Sequence, residues 1–374
     1  MKYRNFGKID YKPSALGFGC MRLPLDKGKI DEEESIKMIR YAIDHGVNYI
    51  DTAYGYHDGE SEILAGKALK DGYREKVRLA TKSPIWLISK SDDFDRFLDE
   101  QLKKMATEKI EFYLLHGLGR ESWEKVLRLG ILKKAENARK DGRIGYLGFS
   151  FHDNYKSFEE IVNGYDGWEF CQIQYNYMDT ENQAGTKGLK LASLKGLAVI
   201  VMEPMLGGRL SSPPQAVKGL FEEYEKRHSP ADWALQWVWN QQEVSLVLSG
   251  MSTMKQVEEN IVSAEKSGVN SLSAQDMQLL ENVKAKSLDR SPIPCTQCSY
   301  CMPCPTGVNI PRNFELYNNG VIYEAMNSSK YVYKNFMPES ERASQCSGCR
   351  SCEEKCPQKI LISELMPRVN EALV

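Results

Sequence analysis

The stretch "DEEESIKMIRYAIDHGVNYID", residues 31–51, decides how the rest of the chain is read. It opens with an acidic first turn, Asp31 to Glu34, which favours the positive end of a helix. An amphipathic run follows, and Gly46 stops it. "VNYID" (47–51) is then a short apolar run that ends on a carboxylate. Helix, stop, strand, acid is one unit, and the unit recurs. Apolar runs lie at 14–20, 47–51, 77–82, 111–116, 144–150, 170–175, 197–203 and 244–250, with amphipathic stretches between them. An open doubly wound sheet would give the same alternation. Eight repeats favour closure into a (β/α)8 TIM barrel, and no G-x-G-x-x-G opens any unit.

Length agrees with that reading. A chain of 374 residues suits a barrel of ~250 residues plus a smaller unit. A helical stretch at 273–288 caps the repeats, and "DRSPIP" (289–294) reads as a linker. The expected division is therefore 1–290 for the barrel and 291–374 for a small helical and loop unit. Net charge is −2 with 27% charged residues, so no basic field argues for nucleic acid. No run of ~20 apolar residues offers a membrane span. The start, "MKYRNFGKID", does not read as a secretory signal. The expectation is a cytoplasmic protein without nucleic-acid or membrane partners.

Working residues of a parallel barrel sit at the C-terminal ends of its strands. Those ends carry Asp51, Lys82, His116, Ser150 and Gln172, and Tyr56 follows Asp51 in the loop "DTAYGYHDGESE". An ammonium beside a phenol favours the phenolate and lowers a pKa that is otherwise near 10. A carboxylate holds that ammonium charged, and an imidazole can orient a carbonyl oxygen. Taken singly, each residue has a structural reading as a cap, a paired charge or packing. Tyr54 competes with Tyr56 as the acid.

Several stretches in order, "GVNYIDTAYGYHDGESEILAGKAL", "LATK", "YLLHGL", "GYLGFS", "CQIQYNY" and "MSTMKQVEEN", make residues 1–270 resemble the aldo-keto reductase superfamily. The resemblance implies a catalytic tetrad on Asp51, Tyr56, Lys82 and His116. It implies a nicotinamide nucleotide, NADP(H) or NAD(H), with its amide held by Ser150 and Gln172. The usual Asn of that site is replaced by Phe151, and the usual stacking tyrosine by Met202. Glu259 and Asn260 match the adenine contacts. The positions that often carry basic side chains for a 2′-phosphate read Gly250 and Gln256, with Lys255 next to the latter.

Ten cysteines are unevenly spread. Cys20 and Cys171 read as buried small hydrophobes. The other eight form two runs, "CTQCSYCMPCP" (295–305) and "CSGCRSCEEKCP" (346–357). The second matches the bacterial ferredoxin spacing C-x2-C-x2-C-x3-C-P, and the first has one residue fewer before its last cysteine. Zinc held by four cysteines is the competing reading, but a zinc ribbon separates two CxxC pairs by a loop. The unit resembles a bacterial-type ferredoxin with two [4Fe-4S] clusters. That resemblance implies crossed fourth ligands: Cys295, Cys298, Cys301 and Cys356 on one cluster, and Cys346, Cys349, Cys352 and Cys304 on the other.

The expected function is NAD(P)H-dependent interconversion of a small carbonyl compound and its alcohol, with clusters that exchange electrons with an external one-electron carrier. A structural or oxygen-sensing role for the clusters stays open. So does an electron-transfer protein whose barrel only binds nucleotide and docks partners.

Overall fold

Eight parallel strands close on themselves: β1 (Leu16–Gly19), β2 (Tyr49–Asp51), β3 (Arg78–Ser83), β4 (Ile110–Leu118), β5 (Ile144–Phe151), β6 (Phe170–Gln174), β7 (Ala198–Met202) and β8 (Val244–Gly250). Each strand pairs with its chain neighbours, and β1 closes the ring against β8, with Gly19 opposite Gly250. All eight apolar runs of the sequence are strands. The computed structural model describes residues 1–226 and 228–374.

Helices follow from local signals. In α1 (Glu32–Asp44), the Asp31 carboxylate accepts from the Glu34 amide, which satisfies one of the free N–H groups of the first turn. Gly46 ends the segment at φ +94°, a conformation that disfavours any side chain. Its missing Cβ also leaves room for Met1 and Tyr3, which would otherwise lie at 2.9 and 3.0 Å.

The barrel's N-terminal end is closed by a segment whose role the sequence did not announce. Phe6, on the turn of an N-terminal hairpin, is buried among Tyr49, Phe112, Phe170, Ala198 and Leu246. Its ring meets that of Phe112 at 5.0 Å, edge to face. Burying such a side chain contributes about 1.5–3 kcal/mol. Arg4 ties the same segment down, donating to the carbonyls of Val244, Trp239 and Gln241 at 2.8–2.9 Å. A filled bottom leaves the C-terminal rim as the open end.

By compactness the chain divides into Met1–Gly208 with Ala231–Ser273, and Arg209–Pro230 with Ala274–Val374. The second unit thus takes in the helix Ala274–Leu288, which the sequence pattern groups with the barrel as its cap. The reason lies in the helix Gln215–Glu223 and its exit. Tyr224 and Lys226 both donate to the buried carboxylate of Asp276, at 2.9 and 2.5 Å.

The core of the second unit is built by the helices Ile310–Ile322, Met326–Phe336 and Ile362–Leu373 around Phe314, Tyr333, Met366 and Val369. Asn309 caps the first of these, accepting from the Arg312 amide. The prolines of 289–294 mark a pinned segment. Ile293 is buried, and the Asn318 amide bonds both its N–H and its carbonyl. Among the described residues, no helix is long and apolar enough to cross a membrane.

Candidate active site

Lys82, near the end of β3, is 1% exposed and uses all three of its protons. It donates to Asp51 Oδ1 at 2.7 Å, to the Thr52 carbonyl at 2.7 Å and to the Tyr56 hydroxyl at 3.4 Å. Strand register brings the first pair together: Asp51 lies opposite Ala80, so Lys82 reaches back over the end of β2. Burial works against its charge, but Asp51 and then Tyr56 more than offset this, and its pKa rises. Burial pushes the Asp51 carboxyl up, and Lys82 pulls it back. Two competing pulls act on Tyr56. Burial raises its pKa, Lys82 lowers it, and the balance in the protein alone is upward. Among these partners, Lys82 is the group that favours the phenolate.

The choice between the two tyrosines is made by the loop. Tyr54 turns outward. Its hydroxyl donates to Glu100 at 3.1 Å, and its ring packs edge-on against Phe97. After Tyr56 the chain passes through left-handed backbone at His57 and Asp58, φ +51° and +55°, before α2 (Glu60–Ala68) begins. That reversal leaves Tyr56 over Lys82.

His116 completes the group. Its ring lies 6.0 Å from that of Tyr56 at 83°. Burial first, then the Lys82 and His152 charges, hold its pKa well below the usual 6.5, so the imidazole is neutral at pH 7. Its Nδ1 is buried and has no partner. A pH dependence follows. Below about pH 6.5 the unfolded histidine takes up a proton that the folded one refuses, so stability falls as pH falls through that value. In chemical denaturation, His116→Gln should flatten this acid limb by up to about 1.4 kcal/mol per pH unit. An unchanged slope would mean that His116 titrates normally.

Trp86 is a site residue that the sequence pattern did not single out. It follows β3, is 54% exposed, and sets its ring 5.0 Å from His116 at 65°. Lys125 holds that turn by donating to the Ile85 carbonyl at 2.8 Å. An aromatic shortly after a strand end was the available signal.

The remaining rim residues divide by face. Ser150 and Gln172 are paired across β5 and β6 and are 1% and 2% exposed. Ser150 Oγ accepts from the Gly117 amide at 2.8 Å, and Gln172 Oε1 is buried without a partner. Phe151, one residue on, points to the other side of the strand and packs on Phe158 at 5.0 Å. Met202 ends β7 opposite Gln174 and is half-buried. Gly250 is exposed at the end of β8. Gln256 is turned into its own loop, accepting from the Ser252 amide at 2.8 Å. Asn260 donates to Ser249 at 3.0 Å, and Glu259 lies exposed, 3.7 Å from Lys255.

The cysteines separate into two sets. One cavity is lined by Cys295, Cys298, Cys301 and Cys356, the other by Cys304, Cys346, Cys349 and Cys352. The fourth cysteine of each run therefore lies with the other run's first three. Among the described residues, no three His, Cys, Asp or Glu side chains gather closely enough for a single ion. Cys20 and Cys171 are fully buried, and burial raises both thiols.

A closed parallel barrel with a buried carboxylate–ammonium–phenol chain at its open rim is the framework of a barrel oxidoreductase. The chain belongs to the Aldo/keto reductase family, whose model matches residues 15–285. A 4Fe-4S dicluster domain model matches residues 294–361. Among curated proteins, the chain is 27% identical over 291 residues to "Probable aldo-keto reductase 1" of Glycine max, covering 68% of this chain and 82% of that one. It is 32% identical over 164 residues to Aldo-keto reductase YhdN of Bacillus subtilis, covering 40% and 48%. Among solved structures it resembles the holo form of aldo-keto reductase AKR11C1 from Bacillus halodurans. That match has a TM-score of 0.63 and 25% identity, and covers 76% of this chain and 96% of that one. An aldo-keto reductase from Klebsiella pneumoniae in complex with NADPH shares the fold, with a TM-score of 0.61 at 22% identity and coverage of 76% and 95%.

Proposed function

We propose that the barrel reduces a small aldehyde or ketone to its alcohol with a nicotinamide nucleotide, and that the C-terminal unit holds two [4Fe-4S] clusters. The observation that carries the first part is the contact of Lys82 with Tyr56 and Asp51, with His116 beside them at the open rim. Tyr56 is the proton donor to the carbonyl oxygen. Lys82 stabilises the phenolate that remains, and Asp51 keeps Lys82 charged and in place. His116, neutral, hydrogen-bonds the carbonyl oxygen and orients it.

The residues present suit the nucleotide. Gln172 Oε1 is a buried acceptor without a partner, and a carboxamide N–H satisfies it; Ser150 lies beside it. The nucleotide supplies the hydride. Met202 would hold the nicotinamide ring through its thioether, less rigidly than an aromatic does. Glu259 and Asn260 would hold the adenosine. Gly250 and the inward-turned Gln256 offer a 2′-phosphate no charge, and among the described residues of the helix Met254–Glu265 itself Lys255 is the cation. The preference between NADPH and NADH is therefore modest.

The clusters are supported by donor chemistry. Each cavity offers four thiols, and a cubane holds its thiolates farther apart than a single ion does. Clusters of this type accept and give single electrons, and an external one-electron carrier is the partner this implies.

The test uses anaerobically purified full chain. Consumption of NADH and of NADPH is followed with a panel of aldehydes, before and after oxidative loss of the clusters. Activity with both nucleotides is expected. Activity that survives cluster loss assigns the clusters a structural or sensing role, and absence of activity in both states overturns the carbonyl-reductase reading. A thousandfold preference for NADPH would contradict the phosphate-site reading.

A further inference from the structure

Arg22 lies just beyond β1, on the turn Cys20–Arg22. Because Gly19 pairs with Gly250, this turn sits beside the end of β8. The Arg22 stem lies flat over Gly250. A Cβ built there would come within 3.2 Å of Arg22 Cβ and Cγ and 3.3 Å of Cδ. Its guanidinium continues past β8 to the loop after β7, where Nη2 is 3.4 Å from the place a Gly207 Cβ would take. Gly207 has φ +67°, so that position also disfavours a side chain by backbone conformation. Ser252 fixes the Arg22 backbone, donating to its carbonyl at 2.8 Å. The guanidinium itself has neither an ion pair nor a hydrogen bond among the described residues.

An arginine laid over two glycines, without a carboxylate, is a cation held ready on a flat floor. Its place along the rim says for what. Ser150, Gln172 and Met202 follow one another on β5, β6 and β7. Then come Gly207, the guanidinium, Gly250, and, on the helix after β8, Glu259 and Asn260. A dinucleotide whose carboxamide meets Gln172 and whose adenine lies at Glu259 spans this arc. Its middle carries two phosphates.

We infer that Arg22 binds the pyrophosphate of the nicotinamide nucleotide. The inference rests on the nucleotide reading above and adds the anion-binding residue that Gly250 and Gln256 do not provide. Guanidinium presents paired donors that suit phosphate oxygens bidentately, and a charge-assisted bond of this kind is stronger than a neutral one. Gly250 is then the floor that lets the stem lie flat.

The experiment is calorimetric titration of NADH and of NADPH into the full chain, with Arg22→Met and Arg22→Lys alongside wild type. Arg22→Met should weaken both nucleotides by about ten- to a hundredfold, leaving their ratio unchanged, because both carry the pyrophosphate. Arg22→Lys should fall between, since an ammonium keeps the charge and loses the fork. Unchanged binding of both nucleotides by Arg22→Met overturns the inference. So does weakening of NADPH alone, which would put the guanidinium on the 2′-phosphate. Wild type that binds neither nucleotide removes the nucleotide reading itself, and this inference with it. Arg22 is exposed, so an unshifted melting temperature in both variants checks that only the contact was lost.

Discussion

Tyr56→Phe is expected to lower carbonyl reduction by about 10²–10⁴-fold while nucleotide binding stays within a factor of two or so. The phenol is the hydroxyl in contact with Lys82, and a phenyl ring keeps the shape while removing the proton. Tyr54→Phe is the matched control. Its hydroxyl faces Glu100 on α3 (Asp93–Lys104), so the variant should retain nearly full activity. Single-turnover hydride transfer with pre-bound nucleotide separates chemistry from binding. A dead Tyr54→Phe beside an active Tyr56→Phe would reverse the assignment. Lys82→Met should also be inactive, but it tests two things at once. It strands the Asp51 carboxylate, which is 2% exposed. Breaking one side of a buried pair costs about 3–5 kcal/mol, so its melting temperature must be read beside its rate.

The second large effect concerns the clusters. Anaerobically purified protein should contain about eight irons and eight acid-labile sulfides per chain. With crossed ligands, Cys304 and Cys349 serve one cluster, whereas Cys304 and Cys298 serve different ones. Cys304→Ser with Cys349→Ser should therefore leave about four irons, and Cys304→Ser with Cys298→Ser should leave close to none. The reverse pattern in iron analysis would mean that each run ligates its own cluster. Zinc in both sites would replace the iron–sulfur reading.

Much of this was legible in the linear chain. The eight apolar runs alternate with amphipathic helices, and that periodicity follows from the need of each strand and helix to bury one face. The carboxylate, ammonium and imidazole could be read from position, because the C-terminal end of a barrel strand is where the backbone aims side chains at the open rim. The cysteine spacing spoke for itself, since thiolate ligation needs residues of that type at short intervals.

What the chain alone left open was decided by contacts between distant segments. Tyr54 and Tyr56 are equivalent in a loop of glycine and polar residues. They part because one finds Glu100 and the other Lys82, 46 and 26 residues away. Phe6 is one aromatic in a polar N-terminus, and only barrel closure surrounds it with Tyr49, Phe112 and Phe170. The helix 274–288 reads from the sequence as a cap of the barrel, and only the folded chain shows that its Asp276 is held by Tyr224 and Lys226, some 50 residues earlier. Arg22 and Gly250 stand near opposite ends of the barrel sequence, and neither stands out until β1 closes against β8. Residue type and spacing determined which chemistry the chain carries. Closure of the barrel and burial of charge decided which side chains share it, because those energies depend on neighbours that sequence order does not place together.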